Sequence, residues 1–318
     1  MAGNKRKSTR LKEIFQSSRT ELMPFGVLPI HAQMAERAGF TCFHISGGMS
    51  AWWINGEPDV GLMTRTEIID NARRIVNAVN IPVYCDADTG YGGIQNVRKT
   101  VQEFIRAGVA GIHIEDQLDP KKAGGSAGIA LVSDEEAIGR LQAACEARDE
   151  LDPDFVITAR TDGYGAAGGG LSEAIRRGKL YRERTSVDVI FFEGIRSWDE
   201  IHQLNTEVPG PTYAIASRHA GPTPSVAELS AMGQSINIVP FILPGVQEVW
   251  NLLLAVRDQG EMKPFDDYVA ACFAREGTDQ FVGFGDGFAK PNYAQVRVLE
   301  EKYLPESMRR DYEGSIHD

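Results

Sequence analysis

Eight short apolar runs, most of them rich in β-branched or aromatic residues, recur along the chain at residues 22–27, 41–45, 82–86, 111–115, 155–160, 187–193, 212–216 and 235–240. Each is followed by a longer stretch with helical periodicity. Alternating strand and helix segments imply parallel strands joined by right-handed crossovers, and eight such units fit a closed (β/α)8 barrel better than an open sheet. A chain of 318 residues has room for two average domains or for one barrel of about 250 residues with extensions. The topology selects the second: an N-terminal extension over 1–20, the barrel over 21–260, and a C-terminal helical extension over 261–318, all in one domain.

The helical stretches fit this frame. Residues 65–79 place Ile68, Ile69, Ala72, Ile75 and Val76 at helical spacing, and Ser133 is a plausible cap with Glu136 at the third helical position. Residues 171–181 and 247–257 behave similarly. Beyond the eighth unit, 268–274 and 293–303 also read as helices, expected to pack on the barrel or on a neighbouring subunit. Two Gly-rich loops, 116–129 and 163–170, follow strands, which puts them at the catalytic face of a barrel. The first reads as a mobile gate, and either one reads equally as a solvent loop.

Lys and Arg number 33 against 44 Asp and Glu, a formal charge of −11. An acidic balance argues against nucleic-acid and anionic-membrane binding, which need a basic surface. Lys5, Arg6, Lys7, Arg10 and Lys12 form the one dense basic cluster. No apolar run approaches the length of about 20 residues that spans a bilayer, so a cytoplasmic location is the expectation. The four cysteines, Cys42, Cys85, Cys145 and Cys272, have no C-x-x-C spacing and read as reduced, mostly buried thiols.

Active sites of such barrels are built from the C-terminal ends of strands. Here those ends are Ser46-Gly47-Gly48, Asp86-Ala87-Asp88, Glu115-Asp116, Arg160-Thr161-Asp162, Glu193, and a segment with Arg218 and His219. Any one acid taken alone is better explained as a helix cap or turn residue. Several acids converging at one face repel unless a cation sits among them, and oxygen ligands without a thiolate or His pair favour magnesium, with manganese second. Ser46, Gly47 and Gly48 form either a plain tight turn or a cradle of N–H groups for a substrate carboxylate. Arg160 is suited to clamp a carboxylate through two parallel bonds, unless it serves only to neutralise Glu193.

The series SGG, PDVGL, DADTGYGG, GIHIEDQ, PKK, ARTD and FFEG, in this order over about residues 20–260, resembles the isocitrate lyase and phosphoenolpyruvate mutase superfamily. It is most similar to the branch of 2-methylisocitrate lyase, dimethylmalate lyase and carboxyphosphonoenolpyruvate mutase. The resemblance implies a (β/α)8 barrel with its eighth helix swapped between subunits of a dimer or tetramer. It also implies a magnesium-bound 2-oxo acid or enolate, with Asp88 as direct ligand and Asp59, Asp86 and Glu115 holding the ion's waters. Ser46, Gly47 and Gly48 would bind a substrate carboxylate, Arg160 would neutralise the substrate, and Glu193 would help fix it.

Departures from the family pattern concentrate in proton transfer. Where the lyases carry K-[KR]-C-G-H in the gate, this chain reads Lys121-Lys122-Ala123-Gly124-Gly125, without Cys or His and without the Asn of phosphonate mutases. His44 stands in place of a Tyr, Leu28 in place of an early Asp, and Ala216 in place of an Asn. Candidate replacements for the missing acid or base are His44, Lys121, Lys122, Arg218 and His219. His113 is open to the same reading, and a buried His in a strand is equally a structural one. The expected activity is magnesium-dependent cleavage or decarboxylation of a small 2-hydroxy or 2-oxo di- or tricarboxylate. The alternatives are a phosphonate mutase or phosphonopyruvate hydrolase, and a non-catalytic carboxylate-binding barrel.

Overall fold

The structure, a computed structural model, describes residues 5–281, 287–288 and 291–309. Its strands are β1 Glu21–Gly26, β2 Phe43–Ile45, β3 Val83–Asp86, β4 Gly111–Glu115, β5 Val156–Thr161, β6 Val189–Ile195, β7 Thr212–Ala216 and β8 Ile236–Val239. The α-helices are α1 Lys7–Gln16, α2 Pro29–Arg37, α3 Gly47–Ser50, α4 Arg65–Ala78, α5 Ile94–Ala107, α6 Asp134–Leu151, α7 Leu171–Arg184 and α8 Trp198–Glu207. They continue as α9 Val226–Ala231, α10 Leu243–Gln259, α11 Lys263–Phe273 and α12 Tyr293–Tyr303. Caps expected from sequence are in place: the Ser133 side chain accepts from the Glu136 N–H, and Thr64 and Glu67 form a reciprocal box at the start of α4.

All strand pairs are parallel, in the order β7-β6-β5-β4-β3-β2-β1-β8. The seam between β7 and β8 is closed by Gln234, whose carboxamide accepts from the Ala214 N–H at 2.8 Å and donates to the Ala214 carbonyl at 3.0 Å. A side chain thus does the work of a strand where the ladder is a single bridge, Thr212 to Gln234. The result is an eight-stranded α/β barrel, nearly closed.

Alternation along the strands sorts two cores. Cys85, Ile112, Ile157, Ile190 and Phe192 face outward into the packing against the helices. Tyr84, Val156, Val189, Phe191 and Tyr213 fill the barrel interior, together with Leu11 and Phe15 of α1. The basic N-terminal cluster belongs to this plug and holds it in place. Lys7 Nζ donates to the Val76 and Val79 carbonyls at the end of α4, and Arg10 to the Asn80 carbonyl. Lys12 pairs with Asp188, and Arg6 with Asp152 and Asp154. Cations placed on unpaired carbonyls at a helix C-terminus satisfy acceptors that would otherwise lack partners.

The chain divides into two compact units, 1–243 and 244–318, and α10 falls mostly in the second. In that unit no residue of α10, α11 or α12 is buried, and Val249, Trp250 and Leu253 are each more than half exposed. No helix among the described residues is long and apolar enough to cross a membrane.

Candidate active site

The interior changes from apolar to ionic along the barrel axis. Beyond the layer of Tyr84, Phe191 and Tyr213, inward-facing positions carry Asp86, Glu115, Arg160 and Glu193, with Asp88 and Asp162 one step further along their strands. Asp86 Oδ1 accepts the backbone N–H of Asp88 at 2.9 Å, and its Oδ2 accepts the Gly47 N–H at 3.3 Å. This local turn carries Asp88 into the left-handed region, φ 44, where a short carboxylate side chain is tolerated. The Asp88 carbonyl in turn accepts the Glu115 N–H at 2.9 Å, tying two strand ends together.

Gly47 and Gly48 are required here by close approach. A Cβ on Gly47 would lie 2.7 Å from Asp86 Oδ2, and one on Gly48 would lie 2.7 Å from Asp59 Oδ2. The Ser46 hydroxyl accepts from the Met49 N–H as the cap of α3. The SGG turn therefore seats two acids, and its Gly47 N–H is already engaged by one of them.

Lys121, from the gate, is the cation among these acids. Its ammonium lies 2.5 Å from Asp59 Oδ1 and 2.8 Å from Asp88 Oδ1, and the residue is 2% exposed. Burial works against its charge, yet Glu115, Asp88, Asp86 and Asp59 together raise its pKa above the ordinary lysine value. It stays protonated and is a poor acid or base at neutral pH. Lys122 is exposed, with its amine directed to the Ala127 carbonyl, and Arg218 is exposed on the short helix Arg218–Ala220. Neither reaches the acid cluster, and His219 is exposed beside Arg218.

Arg160 is the second buried cation. Asp162 holds it in bidentate fashion, Nε to Oδ2 and Nη2 to Oδ1, both at 3.0 Å. Glu115 Oε2 lies 3.1 Å from Nε and Glu193 Oε2 3.5 Å from Nη2, while the guanidinium sits 5.2 Å from the Phe191 ring centroid. Asp162, present in the sequence pattern only as the last residue of a strand end, is the one that clamps Arg160. Its signal was the spacing: two residues after Arg160, it shares the same face of the strand. Asp162 is itself braced by its N–H, which donates to Asp116.

Six carboxylates, Asp59, Asp86, Asp88, Glu115, Asp162 and Glu193, thus surround two cations. Burial raises the pKa of Asp88 to about 6 despite Lys121, and raises that of Glu193 to about 7 despite Arg160. Burial likewise raises Glu115, against the pull of Arg160 and Lys121. Burial also opposes ionisation of Asp86, but His113, Lys121 and Arg160 overcome it and hold that carboxyl below its ordinary range. Both Glu115 oxygens are buried without a hydrogen bond, and Asp88 Oδ1 has only the Lys121 ion pair.

Excess buried negative charge with unfilled oxygen lone pairs is the environment a hard divalent cation fits. Among the described residues no three His, Cys, Asp or Glu side chains converge as a ready-made ligand cage. This donor set suits an ion that keeps several waters and takes few protein oxygens directly.

His44 does not reach the acids. It is fully buried inside the barrel, its Nε2 3.2 Å from His113 Nε2, and His113 Nδ1 is 3.6 Å from Asp86 Oδ1. Burial lowers the two imidazoles to about 4 and about 3, so both are neutral at pH 7. The gate closes on the site through Gly124, whose Cβ would fall on Glu193 and lie 2.7 Å from Arg160 Nη2. Its neighbour across the site is the 163–170 loop, where the Ala167 N–H donates to the Ile129 carbonyl. Asp88 and Lys121 also line a cleft of about 700 Å3 shared with Thr64, Arg65, Tyr91 and Asp119. Cys85 lies on the outer side of β3, as alternation predicts, with its thiol on the Asp86 carbonyl.

The phosphoenolpyruvate phosphomutase family profile matches residues 17–243. The chain is 39% identical over 237 residues to the 2,3-dimethylmalate lyase of Eubacterium barkeri, covering 73% of this chain and 79% of that protein. It is 43% identical over 175 residues to an oxaloacetate decarboxylase of Bradyrhizobium diazoefficiens, covering 55% and 59%. A solved structure of phosphonopyruvate hydrolase with oxalate and Mg2+ superposes with a TM-score of 0.78 at 27% identity, covering 95% of this chain and all of that one. With the barrel, the acid cluster and these relatives together, the chain belongs to the phosphoenolpyruvate phosphomutase family of the isocitrate lyase/PEP mutase superfamily, as a carbon-carbon lyase.

Proposed function

We propose that this enzyme is a divalent-cation-dependent lyase that decarboxylates a small 2-oxo dicarboxylate of the oxaloacetate type. The observation that carries this reading is the composition of the closed site. Lys121, the gate amine that enters it, is held charged by Asp59 and Asp88, and the family resemblance puts Ala123 at the place of the lyases' cysteine. Cleaving a 2-hydroxy acid requires a base to take the hydroxyl proton; loss of carbon dioxide from a 2-oxo diacid requires none.

A magnesium or manganese ion held at Asp88, with Asp59, Asp86 and Glu115 around it, would supply Lewis-acid stabilisation of the developing enolate oxyanion. Arg160, fixed by Asp162, is placed to bind the carboxylate that stays on the product. The Ser46–Gly48 turn, beside Asp86 and Asp59, helps shape the wall facing it. As the bond to the leaving carboxylate breaks, its electron pair stays on the adjacent carbon, which then takes one proton. Glu193, with a pKa raised to about 7 and packed against Gly124, holds that proton in a neutral carboxyl. Gate closure excludes bulk water while the enolate exists.

The test is direct. Purified protein with oxaloacetate and Mg2+ should release pyruvate, followed by coupled reduction to lactate, and chelation should stop it. Faster cleavage of 2-methylisocitrate or 2,3-dimethylmalate would replace this reading with a base-dependent one. A second reading, phosphonate chemistry, is favoured by the superposition on phosphonopyruvate hydrolase; phosphate release from phosphonopyruvate, seen by phosphorus NMR, would establish it. We also infer a homo-oligomer, dimer or tetramer, supported by the exposed Val249, Trp250 and Leu253 of α10. Light scattering in solution checks it.

A further inference from the structure

His44 and His113 stand 69 residues apart in the chain and meet Nε2 to Nε2 at 3.2 Å in the buried barrel interior. Two facing ring nitrogens at hydrogen-bond distance hold one proton between them, so one ring donates and the other accepts. Two arrangements exist. If His113 Nε2–H donates to His44, the His113 Nδ1 lone pair faces the Asp86 carboxylate at 3.6 Å, and His44 Nδ1–H becomes a buried donor with no acceptor. If His44 Nε2–H donates instead, His113 carries its proton on Nδ1, 3.6 Å from Asp86 Oδ1 and so in ion–dipole contact without a hydrogen bond, and one lone pair on His44 Nδ1 is unfilled. Only the second turns a dipole of the right sign toward the carboxylate, and an unmet buried lone pair is more readily tolerated than an unmet N–H.

We infer that His44 is a positioning residue: its Nε2–H fixes His113 as the Nδ1–H tautomer, and His113 thereby orients Asp86 for the divalent cation. Asp86 then accepts the Asp88 and Gly47 backbone N–H groups, while the His113 ring N–H presents its positive end to Oδ1 from 3.6 Å. Its remaining lone pairs are left to face the cation's water. The relay acts through Asp86 and does not touch substrate. It gives a role to the polar ring at 44, packed 5.4 Å from Tyr84 by ring centroids, in an interior where His113, Thr158 and the paired Tyr84 and Tyr213 hydroxyls are the other polar groups nearby. The cation part rests on the divalent-cation reading above, whereas the tautomer part stands without it.

The test uses the full chain labelled with 15N-histidine. Two-bond proton–nitrogen spectra should show His113 protonated on Nδ1 and His44 on Nε2. His44→Gln keeps a donor near the Nε2 position, and His44→Phe keeps the ring volume without one. Mn2+ affinity, read by electron paramagnetic resonance of free Mn2+, should weaken about 10-fold in His44→Phe and stay within about 3-fold of the parent in His44→Gln. His113 should leave the pure Nδ1–H form in His44→Phe alone. His113 protonated on Nε2 in the parent overturns the assignment, as does equal weakening of Mn2+ binding in both variants. A parent that binds no divalent ion removes the cation reading, and the tautomer spectra then decide the pair by themselves.

Discussion

The two ends of the barrel are built from the same eight strands and solve opposite problems. At the N-terminal end, Leu11 and Phe15 are buried against Val156, Val189 and Tyr213, and every cation that accompanies them finds a carbonyl or carboxylate. At the C-terminal end six carboxylates share two cations, and neither buried oxygen of Glu115 accepts a hydrogen bond. The first end is arranged for stability. The second stores electrostatic cost that a bound cation relieves, which is how active sites in barrels commonly trade stability for chemistry.

The contrast is broken most sharply by Asp88→Asn, which keeps a side chain tolerated at the left-handed φ of 44. It should lower turnover at least ~10³-fold and greatly weaken Mn2+ binding, without lowering the melting temperature of the metal-free protein, since it removes one buried like charge. A clear drop in melting temperature together with intact Mn2+ binding would place Asp88 in the structural class instead. Leu11→Ala makes the converse case: a cost of about 2–5 kcal/mol in stability, with turnover per folded molecule preserved, read by denaturant titration and steady-state kinetics.

Glu193→Gln should lower turnover about 10²-fold and remove the fall in rate that the parent shows as pH rises through about 7, measured as a pH–rate profile. Gly124→Ala should lower turnover while leaving Mn2+ affinity unchanged, because the added methyl meets Glu193 and Arg160 and not the metal acids.

Stability against pH provides the smaller test. Asp88, Glu193 and Glu115 have folded pKa values raised above their unfolded ones, so the folded state binds more protons and loses stability as pH rises. His31, His44 and His113, lowered from 6.5, act oppositely, but only below pH 6.5. Asp86, lowered, matters only below about pH 4. Between pH 6.5 and 8 Glu193 and Glu115 carry most of the loss, since Asp88 gives up its proton mainly below 6.5, and the buried thiols of Cys42, Cys85 and Cys145 add to it only toward pH 8. The metal-free protein should lose stability over that window, and Mg2+ should restore it by an amount that grows with pH, read from thermal melts. A flat profile in that window would show that the acid cluster stores no such cost.

Much of this was legible before any coordinates. Alternation placed Asp86, Glu115 and Arg160 at strand ends facing inward and Cys85 outward, because side chains on a strand take opposite faces with period two. What was not legible depended on loop geometry and on closure of the sheet. Lys121 and Lys122 are neighbours of identical chemistry, and only the path of the gate sends one into the acids and the other to solvent. Gln234 reads as a polar residue before a strand until the seam it closes is visible.

The order and spacing of eight strand-helix units, with acids at their ends, were enough to establish the barrel, the catalytic face and the family resemblance, since these follow from local periodicity and chain connectivity. The pairing of His44 with His113, the clamp of Asp162 on Arg160 under a closed gate, and the shortage of cations around Asp88 came from the folded barrel alone. They depend on distances across the barrel and on burial, and no one-dimensional pattern encodes either.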